Sequence, residues 1–277
     1  MKIKKRYIGY ILIFLSIIVC IITGFPVYWM LNISSKSEVN LFNYPPQILP
    51  CNLDFSGYVQ AFKAGTIFIW IKNSLIVALF SVILNVISAT LAAFALSRYN
   101  FKANAAFIFL IMFTQMIAPA LIIAPIFILF LKVKLTNSLI GLVIANTGMT
   151  LAFSTWILKG FFDNIPKEID EAAFIDGCSR FQVFRKIILP LSTPVIITVV
   201  IITFFDVYNE YMFALTLVTS QNKWLGTVGL AANTTRMGTS WDVMLAQTAL
   251  FCIVPILFYF IFQRYIVKGL TAGALKF

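Results

Sequence analysis

Apolar residues along the chain gather into six long stretches that are separated by shorter polar segments. The stretches cover 7–31, 67–96, 105–131, 138–161, 192–218 and 243–263. A helix needs about 20 apolar residues to cross the hydrocarbon core of a bilayer, and it must satisfy every backbone N–H and C=O within the segment. The pattern therefore predicts an all-α integral membrane protein with six transmembrane helices.

The first stretch follows the basic segment MKIKKR, an order that is also typical of a secretory signal peptide. Its apolar run continues through Trp29, and no small-residue cleavage pattern precedes Cys20. We therefore expect this stretch to be retained as the first membrane helix.

Prolines mark two interruptions in the helical pattern. Pro45, Pro46 and Pro50 exclude a long helix from the segment after the first stretch, which is predicted to be a surface loop. Pro119 and Pro125 lie inside the third stretch, where each removes a backbone hydrogen bond and is expected to bend the helix. Bent helices often line a pathway, although helix packing explains such bends equally well.

Composition supports a membrane protein and argues against several other classes. The 277 residues are 61% hydrophobic and 11% charged, which is too little charge to cover a soluble domain. The net charge of +11 does not predict nucleic-acid binding, because the basic residues punctuate the apolar stretches. Histidine is absent and the four cysteines lie far apart, which argues against a metal cluster and a histidine-based catalytic triad.

The basic residues also predict the topology. If the N-terminus is cytoplasmic, fourteen of the 21 Lys and Arg residues fall in cytoplasmic segments and seven on or near the other side. Cytoplasmic loops carry an excess of Lys and Arg. We therefore expect both termini in the cytoplasm, with the chain crossing the membrane several times.

The segment 163–190, between the fourth and fifth stretches, carries the densest helix signals. Asp163 or Asn164 can cap a first short helix, and Pro166 suits its first turn. Gly177 fits the left-handed position that ends it.

A second short helix is predicted in the remainder of this segment. Ser179 and Gln182 have the spacing of a capping box, and Pro190 is expected to end the helix. The apolar residues between them recur at helical spacing. The segment is thus predicted to be a pair of short helices joined by a tight turn.

The string EAAFIDGCSRFQVFRKIILP resembles the EAA loop of bacterial ABC importer permeases, with EAA, a glycine after three residues and an I-x-LP ending. We call 163–190 the EAA loop. The resemblance implies a coupling helix that docks in a cleft of the ATP-hydrolysing subunit. It places Glu171, Ala172, Ala173, Asp176 and Gly177 at that contact. An ordinary amphipathic pair of surface helices is the alternative, which the full spaced pattern argues against.

The ending QRYIVKGLTAGALKF resembles the tail of the maltose-type carbohydrate permeases, in a resemblance that spans about 60–277. NEYMFALTLVTS also resembles this sugar group, with Tyr208 before it where tryptophan is expected. The resemblance implies one permease domain over 1–277 with a core of about 67–267. It also implies a second ATPase contact through the tail residues Gly269, Leu270, Thr271 and Gly273.

This family resemblance implies a permease subunit that forms half of a translocation pathway for a sugar or oligosaccharide. The implied partners are a second permease, two ATP-binding cassette subunits and an extracellular solute-binding protein. The chain contains no Walker sequence GxxxxGK[ST], so ATP and Mg are expected on the partner ATPase, with no cofactor and no enzymatic activity in this chain. A non-sugar solute such as a glycerol phosphate, or an ion-driven secondary transporter, are the alternatives.

Polar residues inside the fifth stretch predict where the pathway runs. Asp206, Asn209, Glu210 and Phe213 have the spacing i, i+3, i+4, i+7 and would share one face of a continuous helix. A charged side chain near the bilayer centre costs about 2.5–3.5 kcal/mol on insertion scales, so this face is expected to border a polar cavity. Helix packing through polar side chains is the alternative.

Overall fold

The structure is a computed structural model that describes residues 2–37, 41, 44, 47–49, 53–99, 104–233 and 240–274. Side chains are described within 10–265 of these ranges. Regular secondary structure in the described ranges is entirely helical, which confirms the predicted all-α class.

The helices are numbered in chain order within the part of the chain that the structure describes. They are α1 (Lys2–Ser34), α2 (Ser56–Ala64), α3 (Thr66–Arg98), α4 (Asn104–Thr114), α5 (Pro119–Lys132), α6 (Leu139–Asp163), α7 (Lys167–Ile175), α8 (Arg180–Leu191), α9 (Thr193–Tyr208), α10 (Met212–Leu217), α11 (Gly226–Ala232) and α12 (Trp241–Ala274). The helix α8 contains a π-helical turn over Phe184–Ile188.

Within the described residues, four helices and two bent helix pairs are long and apolar enough to cross a membrane. Four are single helices, Tyr10–Ser34, Thr66–Arg98, Leu139–Asp163 and Trp241–Tyr265. The other two are helix pairs bent at a short break, α4 with α5 and α8 with α9. Counting each bent pair as one span gives the six spans that the sequence predicts.

The third span is broken rather than bent within one helix. The pair α4 and α5 meet at an angle of 101°, and Pro119 is the first residue of α5. Ala118 is extended, with φ −62° and ψ 131°, because the residue before a proline is disfavoured in the helical region. Pro125 lies inside α5, so Pro119 accounts for the break and Pro125 does not end the helix.

The fifth span also departs from the predicted continuous helix over 192–218. The EAA loop runs through α8 directly into α9, with an angle of 75° between the two helices. The N–H of Leu189 bonds to Phe184 O, five residues earlier, just before Pro190, which has no N–H to donate. The helix α9 then ends at Tyr208 and α10 starts at Met212.

The chain divides into two compact units, of which the first comprises 1–67 and 230–253. Here the predicted surface loop folds back on the end of α1. The Tyr28 hydroxyl donates to Ile48 O at 2.7 Å, the Asn32 amide donates to the same oxygen at 2.6 Å, and the Ser34 and Tyr58 hydroxyls are 2.7 Å apart. The apolar side chains of α1 before these contacts are exposed, as expected for a helix that meets lipid or another subunit.

The second unit comprises 68–229 and 254–277 and contains the EAA loop. A hydrophobic core lies directly beneath that loop and joins α3, α6, α7, α8 and α9. Its buried members are Ala89, Ala93, Leu158, Phe162, Ile165, Ala173, Val183, Ile188 and Val199. The EAA loop is therefore packed against the membrane helices rather than suspended from them.

Candidate functional site

The first helix of the EAA loop starts in a different way from the predicted one. Pro166 stands at the N-cap of α7 and no side chain caps that end. Asp163 instead forms an ion pair with Lys159 at 2.5 Å, and the Asn164 amide donates to a carbonyl of α6 at 2.6 Å. The predicted cap from Asp163 or Asn164 is therefore wrong, because both side chains finish α6 rather than begin α7.

The turn between α7 and α8 matches the sequence prediction. Gly177 has φ +80°, and its N–H donates to Phe174 O at 3.0 Å. The Ser179 hydroxyl accepts the Gln182 N–H at 3.3 Å, while the Gln182 side chain accepts the Ser179 N–H at 2.7 Å. The left-handed glycine and the capping box are thus both confirmed.

The residues assigned to the docking contact do not all face outward. Glu171, Ala172, Asp176 and Gly177 are exposed on α7 and the following turn. Ala173 is only 5% exposed and belongs to the core beneath the loop. The prediction for Ala173 is corrected accordingly, because a buried methyl group cannot contact a partner.

Four large apolar side chains on the EAA loop are exposed and were not assigned to the docking contact, and two of them are more than half exposed. Ile175 is 87% exposed at the end of α7, and Phe181 is 63% exposed at the start of α8. Exposed apolar side chains are common on a membrane protein, but these two belong to the same loop as the exposed Glu171 and Ala172. Their position adds an apolar component to the predicted docking surface.

A buried arginine joins the EAA loop to two membrane helices. Arg98, the last residue of α3, forms an ion pair through Nε with the Asp170 carboxylate at 2.5 Å. Its Nη1 donates to Phe162 O at 3.0 Å and its Nη2 to Ile165 O at 3.1 Å. The two charged side chains are 7% and 10% exposed. The Arg98 guanidinium therefore binds a carbonyl in the last turn of α6, a carbonyl in the connection to α7, and the carboxylate of Asp170 in the first turn of α7.

This arrangement was not predicted, because the sequence indicates Arg98 only as one of the fourteen basic residues in cytoplasmic segments. The signal available was an arginine at the end of an apolar stretch together with Asp170 one residue before the EAA triplet. Nothing in their spacing indicates that the side chains meet.

A cavity of about 400 Å³ lies between α6, the α4–α5 break and the α9–α10 break. The polar residues that line it are Gln115, Asn146, Thr150, Asp206, Asn209 and Glu210. Three of the four residues that were assigned to a pathway thus contribute polar groups to one cavity.

The geometry that brings them together is a helix break, so the predicted shared helical face is wrong. Asn209 follows the last residue of α9, and Glu210, the residue before the N-cap Tyr211, caps α10 through its side chain. The Glu210 carboxylate accepts the N–H of Phe213 at 2.6 Å and that of Ala214 at 3.0 Å. Phe213 lines the cavity but is only 3% exposed. Asp206 remains on α9, one turn before the break, and is exposed.

The far end of α10 is held by a residue that the sequence analysis did not single out. Asn137 has φ +52°, and its N–H donates to Leu217 O at 2.6 Å. Its side chain donates to the Ser220 hydroxyl at 2.8 Å and accepts the Ser220 N–H at 3.1 Å. The Lys223 ammonium donates to the Asn137 carbonyl at 2.7 Å. These bonds fix the cavity wall formed by α10 to the turn before α6.

The tail residues Gly269, Leu270, Thr271 and Gly273 lie in the last turns of α12. Their side chains are outside the part that the structure describes, as are residues 275–277. The contact implied for the tail stays a prediction.

Residues 85–272 match the family described as the binding-protein-dependent transport system inner membrane component. The chain belongs to this family. The permease is 33% identical over 91% of its length to the diacetylchitobiose uptake system permease protein of Streptomyces coelicolor, of which 91% is covered. It is 32% identical to the trehalose/maltose transport system permease protein of Thermococcus litoralis, with 96% of each chain covered. The family predicted from the EAA loop and the tail is thus confirmed.

Solved structures support the fold. The permease superposes on a chain of a bacterial ABC transporter involved in the import of the acidic polysaccharide alginate with a TM-score of 0.80. The match covers 95% of this chain and 97% of that one at 22% identity. A second match is to the MetNI methionine ABC transporter, with a TM-score of 0.58 over 77% of this chain. This likeness establishes the architecture of an ABC transporter permease.

Proposed function

We propose that this permease forms half of the transmembrane pathway of an ATP-driven importer for a sugar or oligosaccharide. The observation that carries the proposal is the EAA loop, which presents exposed residues on a base packed against the three helices α3, α6 and α9. Relatives that cover more than nine-tenths of the chain carry names of sugar uptake systems, which supports a carbohydrate solute.

The proposed assembly contains a second permease, two ATP-binding cassette subunits and an extracellular solute-binding protein. The family description names a binding-protein-dependent system, which supports the last of these. ATP and Mg bind to the cassette subunits in this proposal, since the chain carries no Walker sequence. The excess of Lys and Arg on one side supports cytoplasmic termini and a cytoplasmic EAA loop.

Docking of the ATPase is assigned to the exposed side of α7 and the turn after it. Glu171 offers a carboxylate to a basic group, Ala172 admits a partner backbone, and Ile175 adds apolar area. The Arg98–Asp170 ion pair holds α7 against α3 and α6, so a displacement of α7 is transmitted to the membrane helices. A second ATPase contact is proposed for the tail, from Gly269 to Gly273.

The translocation pathway is assigned to the cavity between the two broken spans. Asp206 and Asn209 are its exposed polar residues on the α9 side. Glu210 and Phe213 shape the wall, the first by capping α10 and the second by packing within it. A volume of about 400 Å³ falls in the range of small-molecule sites, before any contribution from a second permease.

The proposal is tested by purifying the full-length chain from the membranes of its own cells and assaying uptake of labelled maltose, trehalose and diacetylchitobiose in vesicles. We expect a second permease and an ATP-binding cassette subunit to copurify, and we expect uptake to require ATP inside. A chain that purifies alone, with uptake abolished by collapse of an ion gradient and insensitive to loss of ATP, would establish the ion-driven alternative instead.

A further inference from the structure

The carboxylate of Asp206 is the free negative charge of the cavity. Asp206 is exposed on α9, lines the cavity, and has no hydrogen bond or ion pair with any other described residue. Carboxylates within membrane spans are normally paired or face a functional cavity, because burying an unpaired charge is costly. A carboxylate left open to a cavity is available to whatever enters it.

Glu210 does not share this role, although it lies in the same cavity. Both of its carboxylate oxygens accept backbone N–H groups of α10, from Phe213 and Ala214. The Thr227 hydroxyl donates to its carbonyl at 2.6 Å, which fixes the backbone at the break as well. The Glu210 carboxylate is therefore occupied by backbone hydrogen bonds. The Asp206 carboxylate then dominates the electrostatic potential that a solute in the cavity experiences.

The remaining lining residues do not offset that field. Besides the two acids, the cavity is lined by uncharged polar and apolar side chains, and its lining includes neither lysine nor arginine. Asn146 is 3% exposed, and its amide donates to Leu142 O at 2.9 Å. Thr150 accepts a hydrogen bond from Asn85 at 2.7 Å. These groups suit hydroxyl-bearing solutes, but none supplies a positive charge.

We propose that Asp206 makes this half of the pathway selective by charge. It accepts hydrogen bonds from neutral sugars or pairs with the ammonium group of amino sugars, and it disfavours anionic solutes such as uronates, sulfonates and sugar phosphates. This inference rests on the proposed pathway function of the cavity, which it deepens by naming the solute class.

The size of the effect follows from Coulomb's law. Positions 206 and 209 are three residues apart, a spacing that places Cβ atoms about 5–6 Å apart where the chain is helical. At that distance, and with the dielectric constant of water, one carboxylate favours a monovalent cation over a monovalent anion by about tenfold. A lower dielectric constant within the cavity increases this ratio, and salt reduces it.

The test uses Asn209→Cys, because Asn209 is exposed in the cavity and its side chain makes no hydrogen bond to another described residue. The full-length chain, in vesicles from the cells that express it, is treated at low ionic strength with two methanethiosulfonate reagents of similar size. One carries a trimethylammonium group and the other a sulfonate. Modification is measured by mass spectrometry on the peptide between Lys186 and Lys223, which contains no native cysteine. Rates are divided by those of a free thiol in solution.

We expect the normalised cation-to-anion ratio at position 209 to be about ten or higher. It should fall to near one with Asp206→Asn and stay high with Asp206→Glu, which retains the charge. A ratio that does not change with Asp206→Asn overturns the charge selectivity while leaving the pathway in place. Failure of both reagents to modify position 209, when a cysteine at exposed Asp176 reacts, overturns the pathway assignment and this inference together.

Discussion

Arg98 forms a buried ion pair with Asp170 that stabilises the EAA loop. Removing one partner of a buried ion pair leaves an uncompensated charge, which typically costs about 3–5 kcal/mol. Arg98→Ala should therefore lower the free energy of unfolding in detergent by about this amount, because Asp170 loses its ion-pair partner and the carbonyls of Phe162 and Ile165 lose their donor. Arg98→Lys should recover only part of the loss, since an ammonium group cannot reproduce the planar fork.

A matched control is available in the same region. Lys159 and Asp163 form an ion pair of the same 2.5 Å length, but their side chains are 18% and 42% exposed. Exposed pairs contribute about 0–1 kcal/mol, so Lys159→Ala should have little effect. Equal losses of stability for Arg98→Ala and Lys159→Ala would show that burial of the Arg98 pair is not what holds α7.

The two acids of the cavity should respond differently to neutral substitution. Glu210→Gln leaves a single oxygen to accept two N–H groups at the start of α10, so the free energy of unfolding should fall by about 1–2 kcal/mol. Asp206→Asn removes no described contact and should stay within about 0.5 kcal/mol of wild type. Thermal or denaturant unfolding of both variants measures this difference. Similar stability for the two would contradict the capping role of Glu210.

At the scale of elements, the helix α7 of the EAA loop has one exposed face and one face packed against the core. Ala172 is exposed and Ala173 is buried, although the two are neighbours in one motif. Ala172→Trp should block close approach of the ATPase and reduce copurification while leaving the unfolding free energy nearly unchanged. Ala173→Trp should overpack the core and lower that free energy by about 1–3 kcal/mol or more. Destabilisation by Ala172→Trp with normal ATPase binding would reverse the two faces.

Local signals predicted the connections of this loop better than its packing. Gly177 and the Ser179–Gln182 box act within a few residues, so their sequence spacing determined their geometry. Pro166 as the N-cap and Ala173 in the core depend on where α3 and α6 lie, which no local pattern contains. The same holds for the Arg98–Asp170 pair, whose members are distant in the sequence.

Across the whole molecule, hydrophobicity predicted the six apolar spans but not the α4–α5 break in the third predicted stretch or the α9–α10 break in the fifth. The break at 115–118 begins with Gln115 and the break at 209–211 contains Asn209 and Glu210, but both are short and are flanked by long apolar runs, so hydropathy averaged over a whole stretch passes over them. Pro119 indicated the α4–α5 break. Glu210, three residues before Phe213 and directly ahead of a short apolar run, was the capping signal for the second. The i, i+4 spacing of Asp206 and Glu210 also fits one face of a continuous helix, which is the structure that the sequence pattern predicted.

The central claim, that the exposed face of the EAA loop docks an ATPase, is tested most directly by cross-linking in living cells. A photoreactive amino acid is placed at position 172 or 175 of the full-length chain, and at buried position 173 as the control. We expect cross-links from 172 and 175 to a protein with a Walker sequence, identified by mass spectrometry, and none to it from 173. Cross-links from 172 and 175 only to lipid or to other proteins would contradict the account.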